Sequence, residues 1–220
     1  MPDSKIQDQK IYKKGQTLTQ AETVMILTHG RGGNAPDILE LANLFFHPDI
    51  AYLAPQATNS TWYPYSFLAP LDKNEPDLSS ALQVIKELVE QARIAHIPEE
   101  RIIIGGFSQG ACLACEYVAR NPRRYGGLFI FSGGVIGPLG KTHDYQGSLD
   151  GTPVFIGCSD NDAHIPLVRV HETAEIFHQL GGNVTKKIYA KMGHKIVPDE
   201  IDQVKEIIQK VLTIHNSDIF

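Results

Sequence analysis

The stretch from 102 to 110 reads Ile-Ile-Ile-Gly-Gly-Phe-Ser-Gln-Gly, and it decides the fold. Its three β-branched residues predict a buried strand, and the Ala-Cys-Leu-Ala that follows favours a helix. Between them lies a G-x-S-x-G pattern, which places Ser108 on a sharp turn with its hydroxyl outside the sheet. Gly106 and Gly110 suit such a turn because neighbouring backbone comes close to it. The alternative is an ordinary glycine-rich loop between a strand and a helix.

Apolar stretches that predict strands alternate with amphipathic stretches that predict helices. The strand candidates are Thr23–Thr28, Ile50–Ala54, Arg101–Gly105, Gly127–Phe131, Pro153–Gly157 and Asn183–Tyr189. The helix candidates are Asp37–Phe46, Pro76–Ala95, Ala111–Arg120, Pro166–Leu180 and Pro198–Ile214. Because the central strands are almost continuously apolar, we expect a doubly wound, mostly parallel α/β sheet covered by helices on both faces. Residues 11–19 are either an edge strand or part of an N-terminal hairpin.

Composition narrows the classes of protein to which the chain can belong. Its 220 residues suit one domain over 1–220, and the net charge of -5 gives no basic surface for a nucleic acid. No apolar run has the length of a membrane span, so we expect no stable membrane insertion. The N-terminus lacks a signal-peptide pattern, and the cysteines, Cys112, Cys115 and Cys158, are odd in number. We therefore predict reduced thiols and a cytoplasmic location, with Cys112 and Cys115 as core residues rather than a redox pair.

A serine hydroxyl becomes a strong nucleophile only beside a base that is itself held by a third group. In this architecture the partners follow the serine in the order acid and then histidine, each after a strand. His194 follows the last predicted strand, and two carboxylates, Asp160 and Asp162, follow the preceding one. The other histidines near these segments, His143, His164, His171 and His178, are expected at the surface or in packing contacts. Scattered histidines of this kind do not predict a metal site.

Two backbone N–H groups are expected to stabilise the oxyanion formed during acyl transfer. One is the N–H of Gln109, directly after the serine, and the other is the N–H of Arg31 in the loop after the first predicted strand. Its neighbour His29 is expected to be a buried imidazole that braces this loop. The alternative for the loop is a plain glycine-rich turn.

A long connection from Gln56 to Asn74 carries four aromatic residues, Trp62, Tyr63, Tyr65 and Phe67. Loops of this length without periodicity are often functional. We expect these side chains to line or cover a substrate pocket. The alternative is an aromatic loop that packs on the body of the protein as core.

With these residues placed, the chain resembles the phospholipase/carboxylesterase family of α/β-hydrolases, which includes acyl-protein thioesterases and bacterial carboxylesterases. The resemblance runs from about residue 24 to 211. Its matching pieces are Leu27–Gly30, Ala54–Pro55, Thr61–Tyr63, Arg101–Ala111, Asp162–Pro166 and Met192–His194. The resemblance implies the α/β-hydrolase fold, no metal or organic cofactor, and a homodimer as a compatible assembly. It also implies Ser108, Asp162 and His194 as the catalytic set, since the family acid opens a D-x-x-[VI]-P segment.

One departure concerns the loop after the first strand, which reads His-Gly-Arg-Gly-Gly from 29 to 33, where the thioesterase branch usually has H-G-L-G-D. The bacterial carboxylesterase branch, which acts on small esters, is therefore the closer resemblance. We hypothesise that the charge of Arg31 favours substrates with a carboxylate or phosphate near the scissile ester.

The function predicted from the sequence is a serine hydrolase of carboxylic esters, with thioesters or lysophospholipids as further substrate classes. One alternative is a ligand-binding protein on a hydrolase scaffold that has lost its chemistry. Another is a serine lactonase or peptidase on the same fold.

Overall fold

The computed structural model describes residues 10–140 and 143–213, and its centre is one seven-stranded sheet. The strands are β1 (Ile11–Gly15), β2 (Thr23–Thr28), β3 (Ile50–Pro55), β4 (Ile102–Phe107), β5 (Gly127–Phe131), β6 (Pro153–Ser159) and β7 (Asn183–Tyr189). Their order across the sheet is β1-β3-β2-β4-β5-β6-β7. β1 runs antiparallel to β3, and all other pairs are parallel. The predicted α/β fold with a mostly parallel sheet is confirmed.

Helices cover both faces of the sheet. They are α1 (Ala35–Leu39), α2 (Asp77–Ile94), α3 (Gln109–Arg120), α4 (Leu167–Gln179) and α5 (Pro198–Thr213). One apolar core joins α2, α3 and α4 to one face, and a second joins α1 and α5 to the other. In β4 the side chains alternate between the two cores: Ile102 and Ile104 enter the first, and Ile103 enters the second. This two-sided burial explains why the strand sequence is apolar at every position.

The structure refines two of the sequence predictions. The region 11–19 supplies only the short edge strand β1, in which three residues are partly buried and two are exposed. The helix predicted over Asp37–Phe46 is α1 followed by a 3₁₀ turn over Glu40–Asn43. Of the apolar face that the periodicity predicts, Ile38, Ala42 and Phe45 are buried and Leu41 is partly buried, whereas Leu44 and Phe46 are exposed.

Parallel strands place their carboxyl ends at one edge of the sheet, and the loops that follow β2, β4, β6 and β7 therefore meet there. These loops carry the residues singled out by the sequence. No helix among residues 10–140 and 143–213 is long and apolar enough to cross a bilayer.

Candidate active site

Ser108 lies on the tight turn between β4 and α3, with φ of 56° and ψ of -122°. A positive φ is strained for a residue with a side chain, and two backbone hydrogen bonds hold it. The N–H of Ser108 donates to the Phe131 carbonyl at 2.9 Å, and its carbonyl accepts from the Cys112 N–H at 3.0 Å. The strain turns the hydroxyl out of the sheet, as the G-x-S-x-G pattern predicts.

The glycines of the pattern are required by the neighbouring strand β2. A Cβ at Gly106 would lie 2.3 Å from the Thr28 carbonyl oxygen, and one at Gly110 would lie 2.2 Å from the same atom. Both distances are far below van der Waals contact. The turn can therefore approach the end of β2 only because both positions lack a side chain.

Three side chains from three loops form a continuous chain of hydrogen bonds. Ser108 Oγ lies 2.8 Å from His194 Nε2, and His194 Nδ1 lies 2.7 Å from Asp162 Oδ2. The Phe107 ring packs against the imidazole with a centroid distance of 4.8 Å. The structure therefore brings together the three residues that the sequence proposed, at distances suited to proton transfer.

The second carboxylate oxygen of Asp162 is also engaged. Oδ1 accepts the N–H groups of His164 at 2.8 Å and Ile165 at 3.1 Å, and the side chain is fully buried. Burial opposes ionisation of this carboxyl, but the hydrogen bonds from His194 and the two N–H groups outweigh it and lower the pKa of Asp162. The carboxylate is thus charged and oriented toward the imidazole.

Asp160, the competing carboxylate, points elsewhere. It is exposed, and its Oδ1 accepts the N–H of Lys191 at 2.8 Å. This contact ties the loop after β6 to the loop that carries His194. Asp160 is therefore placed as a loop brace, and Asp162 is the carboxylate in contact with the imidazole.

His29 braces the loop after β2, as expected. Burial lowers the pKa of His29, against the opposing effect of its hydrogen bond with the Gly30 carbonyl. The neutral ring can then donate from Nδ1 to that carbonyl at 2.8 Å and accept the Ala57 N–H at Nε2, at 3.1 Å. Both nitrogens are satisfied, so the imidazole fixes the loop that carries Arg31.

The N–H groups of Arg31 and Gln109 have no acceptor within the part of the chain that the structure describes. Gln109 opens α3, where the first N–H groups of a helix lack a partner and carry partial positive charge. Gly30 lies against the turn, since a Cβ there would be 3.3 Å from Ser108 Cβ. The two N–H groups belong to the loop after β2 and to the first residue of α3, and their role as oxyanion donors stays a prediction.

The guanidinium of Arg31 is occupied by the aromatic loop. Nη1 donates to Thr61 Oγ1 at 3.1 Å and to the Pro64 carbonyl at 2.9 Å. Nη2 donates to the Tyr63 carbonyl at 2.9 Å and to the Tyr65 carbonyl at 2.7 Å. All four terminal N–H donors are thereby used. The sequence suggested that the charge of Arg31 selects anionic substrates. In the structure, the guanidinium instead holds the aromatic loop in place, mainly through backbone carbonyls.

Gln109 and Trp62 add further contacts to the same loop. The Gln109 amide accepts the Trp62 N–H at 3.0 Å and donates to the Tyr63 carbonyl at 2.8 Å. Trp62 Nε1 donates to the His29 carbonyl at 2.8 Å, and its ring packs on the imidazole. The aromatic loop is thus anchored to both of the segments that carry the candidate oxyanion donors.

A cavity of about 410 Å³ opens above Ser108 and His194. Of the four aromatic residues, Tyr63 and Phe67 line it. Trp62 and Tyr65 are not among its wall residues, and their role in lining or covering a substrate pocket stays a prediction. Trp62 is buried behind the loop after β2, and Tyr65 is 58% exposed.

Sequence reasoning missed several residues of the cavity wall, namely Ser66, Phe107, Cys112, His164 and Ile165. Cys112 and Ile165 are buried. Cys112 lies four residues after Ser108, and Ile165 lies three residues after Asp162. Helical spacing could have placed Cys112 beside the serine, one turn further along α3. Burial raises the pKa of Cys112 to about 12, so its thiol is a neutral wall group.

His164 packs edge-on against His194, with ring centroids 4.7 Å apart.

The family model described as phospholipase/carboxylesterase matches residues 11–212. The chain belongs to this family. The α/β-hydrolase resemblance drawn from the sequence is confirmed, and with it the class of enzyme, an ester hydrolase family.

Curated relatives carry the name acyl-protein thioesterase 1. The protein of Saccharomyces cerevisiae is 34% identical over 137 residues, which is 61% of this chain and 60% of the relative. The protein of Debaryomyces hansenii is 27% identical over 221 residues, which is 89% of this chain and 94% of the relative. The match to the Saccharomyces cerevisiae protein therefore spans less than two thirds of that relative's length.

One solved structure supports the same family, and another shows the same fold. A phospholipase/carboxylesterase from Dyadobacter fermentans is 41% identical with a TM-score of 0.88, and the match covers 91% of this chain and 97% of that one. The Bacillus cereus carboxylesterase is 23% identical with a TM-score of 0.74, covering 93% and 95%. The second likeness shows the fold alone.

Proposed function

We propose that this chain is a serine hydrolase that cleaves carboxylic esters through an acyl-enzyme intermediate. Ser108 is the nucleophile, His194 the general base and acid, and Asp162 the carboxylate that holds the imidazole. The observation that carries the proposal is the unbroken hydrogen-bond chain from Ser108 Oγ to Asp162, with steps of 2.8 and 2.7 Å. A serine that served only in structure would not require a base in this geometry.

In the first half of the reaction, His194 Nε2 takes the proton of Ser108 as the oxygen attacks the acyl carbon. The charge that develops on the former carbonyl oxygen is stabilised by the N–H groups of Arg31 and Gln109. The charged Asp162 stabilises the imidazolium. His194 then gives the proton to the leaving oxygen, and the bond between the acyl carbon and that oxygen breaks.

In the second half, water takes the place of the leaving group. His194 removes a proton from the water, and the hydroxide oxygen attacks the acyl carbon bound to Ser108. The same two N–H groups stabilise the second oxyanion. The proton returns to Ser108 Oγ, and the carboxylic acid leaves.

The cavity favours small acyl groups. Its volume of about 410 Å³ is at the lower end of the range for small-molecule sites, and Tyr63, Phe67, Cys112 and Ile165 give it an apolar wall.

Thioesters are the second candidate class, since the curated relatives are named acyl-protein thioesterases. The free, buried thiols fit the proposed cytoplasmic location. A homodimer stays a prediction.

Fluorophosphonate labelling tests the proposal directly, with Ser108→Ala as the matched control. The wild type should be labelled once per chain and should hydrolyse p-nitrophenyl acetate, whereas Ser108→Ala should do neither. If the wild type takes no label and hydrolyses no short ester, the chain is a binding protein on a hydrolase scaffold. A panel of matched oxygen esters, thioesters, lactones and peptides then separates the remaining classes by kcat/KM.

A further inference from the structure

A groove leaves the cavity above Ser108 on the side of Phe107. A second cavity, of about 260 Å³, shares Gly30, Arg31 and Phe107 with the first. Its wall continues with Ile38 from α1, Leu41 from the 3₁₀ turn, and Ile196 from the loop before α5. Since the two cavities have three wall residues in common, they lie side by side on the surface.

The row of apolar wall residues continues between the 3₁₀ turn and α5. A third cavity, of about 390 Å³, shares Leu41 and Ile196 with the second. It adds Leu44 and Ile201, and it ends at an ion pair in which Lys205 Nζ lies 2.8 Å from an Asp202 oxygen. We name the path formed by Ile38, Leu41, Leu44, Ile196 and Ile201 the α1–α5 groove.

The groove has a buried apolar floor and an exposed apolar rim. Ile38 and Ile201 are 7% and 6% exposed, whereas Leu44 is 54% exposed. Single exposed apolar side chains are common, but here the exposed Leu44 continues the apolar residues of the second cavity, whose wall also contains the polar Asn34 and Asp37. The charge at the far end is already paired, because Lys205 contacts Asp202. An uncharged alkyl chain therefore matches the wall better than an anionic group.

The chemistry of the site determines which half of an ester meets this groove. The leaving oxygen must lie beside His194 Nε2, because that atom supplies its proton. The groove adjoins this histidine: Phe107, which lines both cavities, packs on the His194 ring, and Ile196 follows His194 by two residues. The other arm of the cavity, with Tyr63, Phe67 and Ile165, remains for the acyl group.

We propose that the α1–α5 groove is a leaving-group subsite, which binds the unbranched alkyl chain of the alcohol portion of an ester. This inference rests on the proposed ester hydrolysis and adds to it the chemical class of the alcohol. The preferred substrates are then esters of short acids with medium-chain alcohols. Each methylene that enters the groove is removed from water, which should raise kcat/KM about two- to fourfold.

The first experiment compares two ester series on the wild-type protein. One series holds the acid as acetate and lengthens the alcohol from ethyl to decyl, and the other holds the alcohol as ethyl and lengthens the acid equally. We expect kcat/KM to rise steadily along the alcohol series and to level off early along the acid series. A flat alcohol series, or a steeper acid series, would overturn the inference.

Two matched variants localise the effect. Leu44→Glu places a charge in the groove, whereas Ile94→Glu places the same charge on α2, where Ile94 is 70% exposed and outside all three cavities. The ratio of kcat/KM for octyl acetate to that for ethyl acetate should fall about tenfold in Leu44→Glu and stay unchanged in Ile94→Glu. Equal ratios in the two variants would count against the groove.

A binding measurement separates this inference from the proposed function. Ser108→Ala protein with labelled isoleucine methyl groups is titrated with octan-1-ol and followed by NMR. Saturable shifts at Ile38, Ile196 and Ile201, without a shift at Ile94, support the subsite even if no ester is hydrolysed. Shifts at Ile165 alone, or no saturable shift, reject it, even if short esters are hydrolysed and fluorophosphonate labels Ser108 in the wild type.

Discussion

The clamp formed by Arg31 leads to a prediction that separates geometry from charge. Its guanidinium makes four hydrogen bonds with the aromatic loop, three of them with the carbonyls of Tyr63, Pro64 and Tyr65. Arg31→Ala removes all four. Arg31→Lys keeps the positive charge but loses the planar fork, and an ammonium group on a flexible stem cannot span these acceptors. We therefore expect the two variants to behave alike.

The size of the effect follows from the exposure of the clamp. Arg31 is exposed, so water competes for each acceptor and a hydrogen bond contributes about 0.5 kcal/mol, the low end of its usual range. Four such bonds give about 2 kcal/mol for holding the loop closed, which corresponds to about a 30-fold change in the loop-opening equilibrium. The Gln109 and Trp62 contacts remain, so the loop should loosen without unfolding.

Amide hydrogen exchange measures this opening. The Trp62 N–H donates to the Gln109 side chain, and the Tyr65 N–H donates to the side chain of Asn74 at the end of the same connection. The exchange of both N–H groups should become about 30-fold faster in both variants. Arg93→Ala, a change of the same residue type on α2, should leave these rates unchanged. In parallel, kcat/KM should fall about tenfold for bulky esters and little for acetates, because Tyr63 and Phe67 form the cavity wall.

The opposite outcome is equally specific. If Arg31→Lys retained a preference for anionic over neutral esters that Arg31→Ala had lost, the charge and not the clamp would be the property that matters. Unchanged exchange at Trp62 and Tyr65 in Arg31→Ala would also reject the clamp, since its acceptors are the carbonyls of this loop.

Three further predictions concern single residues. Asp162→Asn should lower kcat about 10⁴-fold while the fold persists, because an amide no longer holds His194 in the productive tautomer; steady-state kinetics and circular dichroism test both parts. Gly110→Ala should lower the melting temperature by 6 °C or more, about 3 kcal/mol for a chain of this size, because its Cβ would lie 2.2 Å from a carbonyl oxygen. Calorimetry measures the melting temperature, and an unchanged value would contradict the prediction. Burial raises the pKa of Glu200 from an ordinary 4.5 to about 7, so the free energy of unfolding should fall as the pH rises through this range. Glu200→Gln should then be the more stable protein above about pH 7, by at most about 3 kcal/mol, and urea titrations should show the difference vanish toward about pH 4.5.

The features that the sequence predicts best are those with a local cause. The turn at Ser108 requires a strand, a helix and two glycines within a few residues, and all of these are adjacent in the chain. The order of the later loops follows from the parallel sheet. The choice between Asp160 and Asp162 has no such local cause. Both residues follow β6, and they differ only in their hydrogen-bond partners. Lys191 engages the first and His194 the second, and neither contact has a signal in spacing alone.

The aromatic loop marks where prediction from sequence ends. It lacks a periodicity that would assign each side chain to a face, so aromatic composition alone could not separate the buried Trp62 from the exposed Tyr65. The direction of the Arg31 side chain depends on carbonyl groups more than 30 residues away. Contacts between residues this far apart in the chain are visible only in the packed structure. From the sequence alone, a charge in a glycine-rich loop therefore suggested a contact with the substrate.

The anchoring of that loop links substrate fit to the chemistry of the site. Arg31 and Gln109 are proposed to stabilise the oxyanion through their backbone N–H groups, and their side chains are the ones that hold the aromatic loop. The His29 carbonyl, next to them, accepts the indole N–H of Trp62. A displacement of the loop would therefore move the N–H donors as well as the cavity wall. Since donor positions must match the transition state closely, the fit of an acyl group against Tyr63 and Phe67 should influence kcat as well as KM.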